Sequence, residues 1–134
     1  MTSQAVLLGI TYPSAEMQAR LMSELYKEAG VDPRKVPYVE LHGTGTIVGD
    51  PLETKGVTEV FCGNGRSTPL LIGSTKSNMG HPEPAAGLCA ICKVLIAMHD
   101  HAIPPNLHYS VPNPAIPSLV DGRLKVMRHR MSGF

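Results

Sequence analysis

The stretch His42-Gly-Thr-Gly-Thr46, continued by Gly49-Asp50-Pro51, decides how the rest of the chain is interpreted. It follows a largely apolar run, residues 36–41, which predicts a short strand. The glycines leave the backbone free to turn sharply and let another molecule come close. The final aspartate and proline are typical of a helix start, as N-cap and first helical residue. The histidine is therefore predicted at the carboxyl end of a strand, where open α/β sheets bind ligands.

The bulk composition indicates one domain with a sizeable core: 134 residues, of which 43% are hydrophobic. Twelve Lys and Arg nearly balance eleven Asp and Glu, and the absence of a basic run argues against nucleic acid as a partner. No apolar stretch approaches the roughly 20 residues that span a bilayer, so no membrane partner is expected. A signal peptide is not indicated, and three cysteines do not suggest a secreted disulfide framework. The cytoplasm is the expected location.

Hydrophobic spacing predicts helices and strands that alternate along the chain. The predicted elements are a possible strand at 5–8, a helix capped by Ser14 and ending before Gly30, a strand at 38–41, a helix at 51–61, a strand at 69–73, a helix at 85–99 and an edge strand at 123–126. In the first helix, Met17, Leu21 and Leu25 recur every four residues and predict a face that covers a sheet. The helix at 85–99 is apolar all round, which is typical of a helix buried within a larger body. This order predicts a three-layer α/β fold with a mainly parallel sheet.

A second loop with a histidine follows the next strand. Residues 74–81 read Ser-Thr-Lys-Ser-Asn-Met-Gly-His and are interpreted as a polar loop. If the two strands are neighbours, His42 and His81 open onto one crevice. Two neutral imidazoles can donate hydrogen bonds to one developing oxyanion. Lys76 would disfavour a positive charge on either ring, and the hydroxyls of Thr44 and Thr46 could bind a polar substrate arm. A single histidine after a strand is more often structural; the matched pair makes catalysis about as probable as packing.

Other chemically suggestive residues have simpler interpretations. Cys89 and Cys92 have the spacing of a redox or zinc pair, but an apolar helix favours buried structural cysteines. The run His99-Asp100-His101 is interpreted as a solvated helix end rather than a metal site. The glycines of 43–49 lack the Gly-Lys-Ser/Thr ending of a phosphate loop. His108 and Tyr109 are assigned to packing by default.

The two histidine motifs together resemble the β-ketoacyl synthase (condensing enzyme) family of the thiolase-like fold. The later segments Ala102–His108, Asn113–Pro117 and Asp121–Leu124 look most like the animal-type multifunctional fatty acid synthase. Modular polyketide synthases share the first motif and look less similar around His81-Pro82-Glu83-Pro84. The resemblance covers roughly residues 5–127.

This resemblance implies a decarboxylative condensation between malonyl-acyl carrier protein and an acyl chain held on a cysteine. By motif, His42 and His81 would be the active-site histidines that assist decarboxylation and stabilise the enolate, and Lys76 would be the lysine of the same site. Thr44 and Thr46 would contact the phosphopantetheine arm of the acyl carrier protein. The segment itself is expected to bind no cofactor and no metal. A homodimer is the family's usual assembly.

No residue of this chain matches the family's nucleophilic cysteine. The chain therefore resembles the C-terminal half of a ketosynthase domain, incomplete at both ends, and we expect no condensation by this chain alone. An exposed apolar flank and poor solubility are also expected. Three other interpretations remain open: a polyketide synthase ketosynthase fragment, a non-catalytic fragment that acts by association with a complete synthase, and, with much less support, a zinc-binding module.

Overall fold

The fold is an α/β arrangement of short strands and longer helices, seen in a computed structural model that describes residues 13–63 and 66–133. The strands in these residues are β1 (Tyr38–Glu40), β2 (Leu70–Gly73), β3 (Ala102–Ile103), β4 (Leu124–Val126) and β5 (Met131–Ser132). The helices are α1 (Ala15–Glu28), α2 (Gly49–Phe61), α3 (Lys76–Met79), α4 (Ala86–His99) and α5 (Pro117–Val120), with single 3-10 turns at Pro33–Lys35 and Glu83–Ala85. The predicted strand at 5–8 lies outside the described residues.

The main sheet is parallel and places β2 between β1 and β4. Val39 pairs with Ile72, and Ile72 pairs with Val126 across the sheet. The predicted parallel direction is confirmed, and β4 is the edge strand that was expected. Since β1 and β2 are parallel neighbours, the loops that follow them open at the same edge. A separate antiparallel pair, β3 with β5, was not predicted because its strands are only two residues long.

The core lies between one face of the sheet and helices α1 and α2. Its buried members are Ala19, Leu41, Val57, Val60, Phe61, Leu70, Ile72, Leu124 and Val126. The ring of Tyr26 on α1 meets Phe61 on α2 edge to face, with centroids 5.1 Å apart. Gly56 lets the two helices approach, because a Cβ there would lie 3.0 Å from the carbonyl oxygen of Ala15.

Helix α4 contacts the opposite face of the sheet. Successive side chains of a strand point to opposite faces, so Tyr38 and Glu40 point away from the core formed by Val39 and Leu41. Lys93 of α4 meets them there, with its Nζ 2.7 Å from a carboxylate oxygen of Glu40. Helices therefore cover both faces, and the three-layer prediction is confirmed.

The predicted buried stripe of α1 is wrong. Met17, Leu21 and Leu25 are 59%, 58% and 53% exposed, whereas Ala15 and Ala19 are buried. The small side chains face α2 because close helix contact at Gly56 leaves no room for large ones. The apolar spacing thus predicted the helix correctly, but it predicted the wrong face of the helix as the packed one.

Helix α4 is expected to be buried within a larger body, and the described residues of this chain leave most of it exposed. Only Ala86 and Ala97 are buried on it, and its large apolar residues, among them Leu88 at 68% and Leu95 at 59%, are exposed. A three-stranded sheet offers too little surface to cover a helix that is apolar on every side. The exposed apolar flank that was expected is therefore present. Among the described residues, none of the helices has the length and apolar character needed to cross a membrane.

Candidate functional site

Carboxylates of α2 hold the glycine loop that follows β1. One oxygen of Glu53 accepts the backbone N–H of His42 at 2.6 Å, and the other accepts that of Gly43 at 2.9 Å. Asp50 accepts the N–H of Gly45 at 3.0 Å. A loop without regular secondary structure needs such acceptors for its amides. The backbone of His42 is thereby fixed to the first turns of α2.

The prediction that Asp50 caps the helix is wrong. Helix α2 begins at Gly49, and its N-cap Val48 makes no side-chain hydrogen bond. Asp50 lies inside the first turn because its carboxylate is bound to the loop amide of Gly45 instead. The glycine at 43 is required at its position, since its φ is +46° and a Cβ would lie 2.9 Å from Cβ of Ser74.

The segment 74–81, predicted as a loop, contains the short helix α3. Its start is buried at Ser74 and Thr75 and is tied to the first loop, because the Ser74 hydroxyl donates to the carbonyl oxygen of His42 at 3.3 Å. Asn78 of α3 donates to the carbonyl oxygen of Pro105 at 2.9 Å and accepts the N–H of Leu107 at 3.0 Å. The proline-rich segment around residue 105 is therefore hydrogen-bonded to α3. Local sequence propensity does not reveal this long-range contact.

The two histidines meet at the edge of the sheet, as predicted. Their ring centroids are 5.4 Å apart and the ring planes are nearly perpendicular, at 84°. Nδ1 of His81 accepts the backbone N–H of Glu83 at 3.0 Å. In a neutral imidazole with Nδ1 as acceptor, the proton lies on Nε2, so His81 presents a hydrogen-bond donor. Both rings are exposed to solvent on the described surface.

Thr44 and Thr46 line one depression with His42. It has a volume of about 590 Å³, and its apolar wall comes from Leu21 and Met22 of α1. Thr46 also accepts the N–H of Gly49 at 3.0 Å, so its hydroxyl keeps a proton to donate. This places both predicted hydroxyls beside the first histidine.

Lys76 opens α3 and is half-buried. Its neighbour Thr75 donates its backbone N–H to Glu40 at 2.6 Å, which ties the start of α3 to β1. Tyr38 and Lys93 surround the same carboxylate. Burial, and then the adjacent Glu40 carboxylate, raise the pKa of the Tyr38 phenol far above its ordinary value, so this hydroxyl stays protonated.

The alternative metal and packing interpretations have mixed outcomes. Among the described residues no group of three or more His, Cys, Asp or Glu side chains could hold a metal ion. Cys92 is exposed and Cys89 half-buried, so their assignment as buried cysteines is wrong because α4 itself is exposed. The segment 99–101 is an exposed helix end, as predicted. Tyr109 packs against the core, but His108 is exposed and its assignment to packing is wrong.

Comparison with known protein families shows to which of them the chain belongs. A family model described as the C-terminal domain of β-ketoacyl synthase matches residues 1–110. The chain belongs to the β-ketoacyl synthase family.

Relatives of this ketosynthase chain include both fatty acid and polyketide synthases. It is 57% identical to a fatty acid synthase of Anser anser anser over 67% of the chain, and 50% identical to a highly reducing polyketide synthase of Alternaria alternata over 81%. A solved ketosynthase from module 6 of the bacillaene synthase of Bacillus subtilis 168 superimposes over 93% of the chain with a TM-score of 0.86 and 36% identity. The chain spans 25%, 4% and 22% of these three proteins, respectively. The thiolase-like fold class is thereby confirmed.

Sequence reasoning missed four residues that support this candidate site, namely Glu53, Glu40, Lys93 and Asn78. Glu53 could have been found from the unpaired amides of the glycine loop, for which it is an acid within reach on the next helix. Glu40 is an acid in a largely apolar strand, and Lys93 is the only lysine or arginine on α4. Such isolated charges are rarely buried unless they are paired, which is a usable sequence signal. Asn78 gives no comparable signal, since its partners lie about 30 residues away.

Proposed function

We propose that this chain forms the decarboxylating side of a ketosynthase active site in an animal-type fatty acid synthase. His42 and His81 donate hydrogen bonds to the thioester oxygen of malonyl-acyl carrier protein. The observation that supports this most directly is the 5.4 Å separation of the two rings, with Nε2 of His81 available as a donor. Such pre-aimed donors stabilise negative charge where it develops.

In the proposed reaction the bond between the α-carbon and the carboxylate of malonyl breaks, and carbon dioxide leaves. Its electron pair forms an enolate, whose oxygen accepts hydrogen bonds from His42 and His81. The enolate carbon then attacks the acyl thioester carbon, and the cysteine thiolate departs. Thr44 and Thr46 bind the phosphopantetheine arm, and Lys76 serves the same site.

The thiolate comes, in this proposal, from a segment other than these 134 residues. Cys62 follows α2, its thiol donates to the carbonyl oxygen of Arg123, and burial raises its pKa, which disfavours the nucleophilic thiolate. Cys89 and Cys92 lie on α4 and line a groove together with Met79 of α3. Acyl carrier protein, a homodimeric assembly and a cytoplasmic location belong to the same proposal.

The test joins this chain to the nucleophile-bearing half of a ketosynthase and measures carbon dioxide release from malonyl-acyl carrier protein. His42→Ala and His81→Ala should each lower the rate by on the order of 10²–10³-fold, as for loss of one oxyanion donor. His108→Ala is the matched control, because His108 is exposed and outside the site. Decarboxylation unchanged in either site variant would remove that histidine from the proposal. The chain alone should produce no condensation product.

A polyketide synthase is the second candidate. Fungal polyketide synthases match more of the chain than the fatty acid synthase of Anser anser anser does. One from Penicillium rubens is 49% identical over 89% of the chain. The two candidates differ in product, so mass analysis of the acyl chains made by the intact native polypeptide decides between them. A saturated unbranched chain supports the fatty acid synthase, and a chain that retains keto or hydroxyl groups supports the polyketide synthase.

A further inference from the structure

A buried ion pair lies directly beneath the two histidine loops. Lys93 and Glu40 have side chains that are 9% and 6% exposed, and Nζ lies 2.7 Å from Oε2. The Tyr38 hydroxyl donates to the same carboxylate oxygen and accepts from Nζ of Lys93 at 2.9 Å. Gly73, which pairs with Glu40 across the sheet, leaves the space that this cluster fills, since a Cβ there would lie 2.6 Å from the Tyr38 hydroxyl.

The second oxygen of Glu40 reaches the other loop. Oε1 accepts the backbone N–H of Thr75 at 2.6 Å, immediately before Lys76. Glu40 itself precedes His42 by two residues, and Lys93 belongs to α4, the helix that follows His81. One carboxylate therefore connects β1, which precedes His42, with the start of α3, which carries Lys76, and with α4, which follows His81.

Such a pair is not explained by stability alone. Removing two charges from water costs about as much as their attraction returns, and an apolar pair of similar volume is often equally stable. The pair favours a single arrangement of β1, the start of α3 and α4, because either charge would be unfavourable if it were buried without its partner.

We propose that Glu40, oriented by Lys93 and Tyr38, is a positioning residue that sets the distance between the two imidazoles and the placement of Lys76. The kinetic consequence of this positioning role rests on the proposed decarboxylation. Catalytic groups displaced by about 1 Å can lose on the order of 10²-fold in rate. The threonines that would bind the phosphopantetheine arm lie beyond His42 in the glycine loop, which Glu53 and Asp50 hold instead.

The kinetic test uses the same joined chain and the variant Glu40→Gln, which keeps the shape of the side chain and removes its charge. The turnover number for malonyl decarboxylation, per folded molecule, should fall roughly 10- to 100-fold while KM changes little. Lys93→Met should act in the same direction and serves if Glu40→Gln does not fold. Glu59→Gln, an exposed position on α2, is the matched control.

A second readout does not depend on activity. Hydrogen exchange of the Thr75 amide should become at least about tenfold faster in Glu40→Gln and in Lys93→Met, because its acceptor is lost or displaced, and should not change in Glu59→Gln. If the unmodified joined chain releases no carbon dioxide, the proposed function fails. The exchange rate of the Thr75 amide still tests whether Glu40 holds the start of α3. An unchanged Thr75 amide, or a turnover number equal to that of the parent, would overturn the positioning role. A loss of rate that tracks only the loss of folded protein would overturn it as well.

Discussion

His81 owes its orientation to a neighbour with an unfavourable backbone. Glu83 donates its N–H to Nδ1 of His81 and has a φ of +45°, in the left-handed region. A residue with a Cβ pays about 1–2 kcal/mol there, and Pro84, which follows it, further disfavours helical angles. The backbone at position 83 is therefore strained. This conformation allows the Glu83 N–H to bond Nδ1 of His81, and that hydrogen bond selects the His81 tautomer with its proton on Nε2.

Replacing Glu83 by glycine should relieve this strain. We expect Glu83→Gly to leave the free energy of unfolding unchanged or to raise it by up to about 1 kcal/mol, the gain being reduced by the greater freedom of glycine in the unfolded chain. Urea unfolding measures the difference. Glu59→Gly, in the last turn of α2, is the matched control and should destabilise by up to about 1 kcal/mol. Equal destabilisation by both substitutions would show that position 83 is not strained.

Individual residues also show where sequence reasoning reached its limit. The histidine pair was predictable because two strands of one parallel sheet end at the same edge, whatever the details of packing. The bonds from Asn78 to the proline-rich segment were not, since they join residues about 30 positions apart that only the fold brings together. The site histidines could be deduced from the sequence, as could a need for acceptors such as Glu53, but this long-range support could not.

At the scale of elements, Tyr38 connects β1 with α4, and its ionisation makes this connection sensitive to alkaline pH. Its pKa is raised in the folded protein above the ordinary 10.0, so the stability it contributes is complete below pH 10 and is lost as pH rises toward the folded value. Tyr38→Phe should cost about 1 kcal/mol at neutral pH.

The comparison of parent and Tyr38→Phe between pH 8 and pH 11 tests this assignment. Above pH 10 the unfolded phenol ionises, so the parent should lose stability relative to the variant by about 1.4 kcal/mol per pH unit. Denaturant unfolding at each pH gives the difference. A gap between the two proteins that stays constant through pH 11 would mean that Tyr38 is not buried against Glu40.

Helix boundaries were predicted well, and packed faces less well. Helix α2 was expected at 51–61 and is found at 49–61, with Val57, Val60 and Phe61 buried and Leu52 half-buried. In α1 the expected buried stripe is exposed, because small residues pack against Gly56 of the neighbouring helix. Periodicity finds a helix from its own residues, whereas the choice of a packed face depends on the partner's shape.

At the scale of the whole molecule, helix α4 exposes several large apolar side chains. Leu88, Ile91, Leu95, Ile96 and Met98 are all between 57% and 68% exposed on one helix. Contiguous apolar patches of this kind mark surfaces that other protein covers. The chain spans 22% of the solved ketosynthase, so a larger ketosynthase domain has the additional surface that could cover it.

The chain on its own should therefore self-associate through α4. Covering this apolar area favours association by about 25 cal/mol per Å², which opposes the cost of the freedom that the two partners lose. The triple variant Leu88→Gln, Ile91→Gln, Leu95→Gln should sediment as a monomer and keep its circular dichroism, because these side chains contribute little to the core. Val111→Gln and Val120→Gln together, exposed residues outside α4, are the matched control and should associate like the parent. Association that persists in the triple variant would place the contact elsewhere, with the exposed stripe of α1 as the next surface to change.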